Sequence, residues 1–147
     1  MFVVRLLMAT IAGGAVGLER ETSNKSAGLR TNTLVAVGAC IYVLIAGRVI
    51  EGSDGDPTRI VGQIVTGIGF LGAGVILHRG TNVRGLTTAA TVWCSAALGC
   101  LAGFGMYWEL AVSTAMVILI NLSFKKMDKW FIKDRKEKKQ GGNEDFE

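Results

Sequence analysis

The residues able to do chemistry in this chain are few, and they stand inside or beside apolar runs. Three cysteines, Cys40, Cys94 and Cys100, and one histidine, His78, make up its soft ligands. On one helix Cys94 and Cys100 lie about 9 Å apart along the axis, too far for an undistorted disulfide. No CxxC pair offers a zinc or redox site, so the three read as buried free thiols. His78 has no serine or cysteine nucleophile at a recognisable spacing and fits an interfacial or pH-responsive contact better than a general base. No Asp or Glu occurs from Pro57 to Trp108, which denies the apolar centre paired-acid hydrolysis, two-metal catalysis and hard-cation cages. The expectation is no enzyme, no catalytic residue, no metal site and no cofactor.

Three polar clusters remain. Glu19, Arg20, Glu21, Lys25, Arg30 and Asn32 bracket a short loop between apolar runs. They read either as ordinary interfacial charge or, functionally, as a site in which Glu19 and Arg30 form a desolvated pair at the bundle's rim. Arg79, Asn82, Arg84, Gly85, Thr87 and Thr88 form a second loop, where Thr87 or Thr88 would cap the next helix and Asn82 and Gly85 suit a tight turn. Glu51, Asp54 and Asp56 keep a third loop solvated and are too few for a calcium loop. Inside the apolar runs only Gln63, Thr66 and Asn121 offer polarity to a conducted cation. The stretch Gly67-Ile68-Gly69-Phe70-Leu71-Gly72 matches the dinucleotide fingerprint letter for letter, but it lacks the preceding strand and the acid about 20 residues on. It reads as helix packing.

The elements that must position these residues follow from solvent and charge. Half of the 147 residues are apolar, 20 are glycine and one is proline, which excludes collagen and a disordered chain. Five apolar segments, Phe2 to Leu18, Thr33 to Ile50, Ile60 to Leu77, Thr87 to Phe104 and Leu110 to Phe124, are each close to the shorter limit for a membrane-crossing helix. The fold expected is an all-α polytopic transmembrane bundle of about five spans over residues 1–124. Thirteen basic residues follow the first, third and fifth spans, against three on the other side, so the positive-inside rule puts the N-terminus outside and the C-terminus in the cytoplasm. Residues 125–139 read as a basic amphipathic helix lying on anionic lipid through Lys125, Lys126, Lys129, Trp130 and Lys133. Residues 140–147 read as a disordered acidic tail. Basic residues gathered in this way do not suggest nucleic acid.

Close backbone approach must replace the hydrophobic drive between helices in lipid. The first span carries Ala9, Gly13 and Gly17, and the fourth Thr91, Ser95, Gly99 and Gly103, two continuous ridges of small residues. The third span sets Gly62 and Gly69 on one face and Gly67 and Gly74 on another, which predicts a central helix packed on both sides.

Four motifs in order carry a resemblance: Gly17-Leu18-Glu19-Arg20-Glu21; Ala27-Gly28-Leu29-Arg30-Thr31-Asn32-Thr33-Leu34-Val35; Gln63 through Gly74; and Val83-Arg84-Gly85-Leu86-Thr87-Thr88 through Trp93-Cys94-Ser95-Ala96. Over Gly13 to Gly105 the chain resembles the MgtC/SapB family of bacterial inner-membrane proteins, in a short form without the soluble C-terminal domain of many relatives. The resemblance implies a role in growth under magnesium limitation, in virulence and in restraint of the proton-driven ATP synthase. It singles out Cys94, flanked by Trp93 and Ser95, as the residue whose family role transfers best. The leading reading is a non-enzymatic protein that contacts another membrane complex, such as the F-type ATP synthase, and adjusts ion or proton economics. The alternative is a magnesium transporter or channel subunit that conducts the ion itself. Self-association as a homo-oligomer is left open.

Overall fold

The computed structural model describes residues 1–51, 55–79 and 82–123. Five helices follow one another: α1 (Phe2–Thr22), α2 (Leu29–Val49), α3 (Thr58–Val75), α4 (Leu86–Phe104) and α5 (Tyr107–Ser123). The first four are long and apolar enough to cross a membrane, whereas α5, with 17 residues, is shorter. Two short strands, β1 (Leu77–Arg79) and β2 (Asn82–Arg84), pair antiparallel ahead of α4. The tight turn expected there is thus a small hairpin within an all-helical fold. The lysine-rich segment, Trp130 and the acidic tail lie outside the described residues.

Helix α2 is the centre of the bundle. A Cβ at Gly13 of α1 would come within 2.7 Å of Ala36 Cβ, and one at Gly17 within 2.6 Å of Leu29 Cα. From the other side, a Cβ at Gly99 of α4 would run into the Ala36 carbonyl, and one at Gly103 would stand 2.7 Å from Val43 Cβ. Both ridges of small residues therefore press their backbones onto α2, which meets them with Ala36, Ala39 and Cys40, all buried. This mutual smallness permits close helix approach in lipid.

The expectation that the third span is central is corrected. Helix α3 has no fully buried residue, and among the described residues a Cβ at Gly62, Gly67, Gly69 or Gly74 would meet nothing within 4 Å, whereas one at Gly72 would meet Ala89 Cβ at 3.7 Å. The reason is that α3 docks through Ile64 and Ile68, which pack on Ala39, Val43, Ala96 and Cys100. These residues, four apart, form one stripe on a helix, and their bulk takes the contact, leaving Gly62 and Gly69 away from it and Gly67 at the edge of a groove between α2 and α3.

Helix α5 adds Leu110, Val117 and Ile118 to a second cluster around Ala9, Val16, Cys40 and Leu98. Large apolar side chains such as Phe70 and Trp108 point away from all of this. That arrangement suits a protein whose surrounding solvent is itself apolar.

Candidate functional site

The last turn of α1 extends beyond the apolar run, so Glu19, Arg20 and Glu21 belong to the helix rather than to a loop. Arg20 is the main surprise, at 3% exposed. A buried guanidinium persists only where its donors are met. Its Nη2 donates to Thr88 Oγ1 at the start of α4 and to the Ser26 carbonyl at 3.2 Å, and the Ser26 and Thr88 hydroxyls lie 3.1 Å apart. The side chain thereby ties α1, the α1–α2 loop and α4 together.

Asn32, fully buried on the first turn of α2, organises the same end. Its amide nitrogen donates to the carbonyls of Ala27, at 2.6 Å, and Gly28, at 3.0 Å, and its Oδ1 accepts from Ser95 Oγ at 2.8 Å. Ala27 holds a left-handed φ of 56°, a conformation that costs a non-glycine residue about 1–2 kcal/mol. The Asn32 clamp falls on its carbonyl. Glu21 Oε2 accepts from the Leu29 backbone N–H at 2.9 Å, satisfying one of the orphan donors at the start of α2.

The other residues expected to act are distributed around this rim. Glu19 does not pair with Arg30: its Oε1 accepts from Ser23 Oγ at 2.8 Å, while Arg30 is exposed. The cause is rotation, because Arg30 falls on the outer side of α2 whereas Asn32, two residues on, turns inward. Neither Thr87 nor Thr88 caps α4, since Gly85 stands at that position with a φ of 95°. A Cβ there would collide with the Val75 carbonyl, which leaves glycine the only fit. Arg84 and Thr87 are exposed and line, with Glu19, Arg20 and Lys25, a cleft of about 770 Å³. Cys94 is half-buried, beside a half-exposed Trp93, and all three cysteines are free thiols. Gln63 lies apart, in an apolar groove between α2 and α3 lined also by Tyr42 and Ile64.

At the opposite end Arg5 donates to the Gly103 carbonyl at 2.8 Å, placing a cation where the carbonyls of α4 end. In the acidic loop Asp56 accepts from the Thr58 hydroxyl at 2.7 Å and the Thr58 N–H at 2.8 Å. These bonds hold its carboxyl below the usual carboxylate range. Glu51 is exposed there, and Asp54 lies outside the described residues.

In the sequence Arg5 is one of the three basic residues counted on the outer side, with Arg48 and Arg59, Thr88 reads as a cap, and Ser26 has no reading. A lone arginine four residues into an apolar helix was the available signal for Arg5, since its charge must find a partner. Nothing local marked Ser26, whose role depends on how the loop folds back.

A sequence profile described as the MgtC family matches residues 6–130. Protein MgtC of Brucella abortus is 54% identical over 113 residues, 77% of this chain and 47% of that protein. Protein MgtC of Salmonella typhimurium is 46% identical over 121 residues, 82% of this chain and 51% of that protein. A Synechocystis protein named uncharacterized protein slr0014 is 47% identical over 125 residues, 85% of this chain and 53% of its own length. The chain thus spans about half the length of the curated relatives it matches. No solved structure matches.

Proposed function

The chain belongs to the MgtC family, and from that premise we propose that it is a non-enzymatic, multi-pass protein of the bacterial inner membrane that supports growth under magnesium limitation. It acts by contacting another membrane complex, such as the F-type ATP synthase, and so adjusts ion or proton economics rather than conducting the ion itself. The observation that carries this reading is the outward face of α3. Gly62 and Gly69 on that face leave open space where side chains would stand, and Phe70 beside Gly69 is 83% exposed. In lipid, a helix with small residues on an unpacked side suits close approach by a helix of another protein. Conduction is less well supported, because between Arg5 and Glu19 and along α2, α3 and α4 no carboxylate stands within a spanning helix, and the partly buried Glu19 gathers with Arg20 and Thr88 at one end.

The test combines growth and flux. Gly62→Leu and Gly69→Leu add bulk where a Cβ meets nothing within 4 Å among the described residues, so both variants should accumulate in the membrane yet fail to support growth in magnesium-poor medium. Cys94→Ala, chosen for the family role inferred for that thiol, should behave likewise. The purified parent in liposomes should show no saturable magnesium or proton flux. Robust flux, or leucine variants that grow like the parent, would overturn the reading.

A further inference from the structure

The cleft enclosed where α1 ends, α4 begins and α5 ends has polar groups that the described residues leave unmatched. Arg20, 3% exposed, uses Nη2 on Thr88 and Ser26, but its buried Nε has no hydrogen-bond partner among the described residues. Glu19 Oε2 and Asn121 Nδ2 are likewise buried and have no partner among the described residues. All three residues line the same space, together with Lys25 and Arg84. Buried polar atoms are satisfied in the great majority of structures. Three such atoms around one cleft, two donors and one anionic acceptor, define the guest that would complete them: it must bring an acceptor to Arg20 and Asn121 and a donor to Glu19. One neutral water brings neither an anionic acceptor to Arg20 nor a cationic donor to Glu19.

We infer that this cleft binds a phosphoethanolamine group, its phosphate oxygens accepting from Arg20 Nε and Asn121 Nδ2 and its ammonium donating to Glu19 Oε2. Lys25 and Arg84 supply further charge for the phosphate, as cations do for anionic oxygens generally. Two sources share this chemistry, the head of a zwitterionic phospholipid and the free phosphate ester. The wall between the helices includes Leu86 and Ile120, which are 59% and 48% exposed and would meet the glycerol and acyl portion of a lipid. The site stands at helix ends, the level at which headgroups lie. This inference does not depend on the partner contact at α3, and failure of either leaves the other untouched.

The test is native mass spectrometry of the full chain released from micelles holding equal amounts of phosphatidylethanolamine, phosphatidylglycerol and phosphatidylcholine with matched acyl chains. The parent should retain phosphatidylethanolamine over both others by about tenfold, the order of one charge-assisted hydrogen bond. Phosphatidylcholine has the same net charge but no N–H to give Glu19, so Glu19→Gln should erase the preference over it. Arg20 variants risk the fold, and Asn121→Ala serves instead: it should melt with the parent and bind every phosphate-bearing probe more weakly. Displacement of the lipid by soluble O-phosphoethanolamine would support the site and assign it to the free ester, whereas retention against that competitor would assign it to the lipid head. Equal retention of the three lipids by the parent, an unchanged preference in Glu19→Gln, or undiminished binding of every lipid by Asn121→Ala would overturn the inference.

Discussion

Asn32 and Ser95 join α2 to α4 by a hydrogen bond between two groups that no solvent reaches, each 0% exposed. Breaking such a bond from one side costs more than the bond is worth, because the survivor keeps its desolvation without its partner. Ser95→Ala, which leaves Asn32 Oδ1 without that donor, should therefore lower stability by about 1–3 kcal/mol. Asn32→Ala should cost more, since it also releases the carbonyls of Ala27 and Gly28 that hold the α1–α2 loop. The double variant should fall short of the sum, the mark of a shared interaction, in reversible unfolding in mixed micelles. Strictly additive losses would show that the two side chains do not act on one another. At this scale the sequence reveals the players but not the pairs. Asn32 stands out as a polar residue at the edge of an apolar run, but Ser95 reads there only as a small residue in a ridge. Their partnership depends on the rotation of two helices 63 positions apart in the chain, which no local pattern encodes. The same rotation separates Glu19 from Arg30 and gives Arg20 to Thr88.

At the scale of the element, the glycines of α1 and α4 and those of α3 look alike in sequence and behave differently in the fold. Small residues four apart license close approach, but they do not compel it: the facing helix must also be small. Helix α2 offers Ala36 and Cys40 to the ridges of α1 and α4, whereas toward α3 the chain places Ile64 and Ile68 in the contact. The helices themselves are legible from apolar run length, and the two true ridges from spacing alone. The identity of the central helix is not, because it depends on which stripe of α3 wins the interface. A single added methyl group distinguishes the two kinds of glycine. Gly99→Ala must displace the Ala36 backbone, and overpacking of this kind costs roughly 1–3 kcal/mol. Gly62→Ala and Gly69→Ala enter open space and should stay within about 1 kcal/mol of the parent, the range of intrinsic helix propensity. Thermal unfolding in detergent reads the difference, and equal losses at all three positions would remove α2 from the centre of the bundle.

For the whole molecule the decisive element is α5, because it sets whether the chain crosses the membrane an even or an odd number of times. At 17 residues it is about 25 Å long, short of a hydrocarbon layer near 30 Å. Length alone would make it a surface helix. Its packing argues otherwise. Helix α1 carries a buried-side arginine toward each end, Arg5 bound to the Gly103 carbonyl and Arg20 bound to Thr88. Helix α5 starts just beyond Gly103, beside the first of these, and its Ile120 and Asn121 line the cleft beside the second. It therefore runs the same course as the stretch of α1 from Arg5 to Arg20, about 22 Å at helical rise. An odd count agrees with the concentration of basic residues after the first, third and fifth helices, for which the positive-inside rule assigns the cytoplasm. Cysteines placed singly at Gly55, Lys25 and Ser123, in a chain whose native three are alanine, test this in intact cells. Gly55→Cys should react with an impermeant maleimide from outside, and Lys25→Cys and Ser123→Cys only after permeabilisation. Labelling of Ser123→Cys together with Gly55→Cys would mean that α5 turns back before crossing, leaving four spans and both termini on one side.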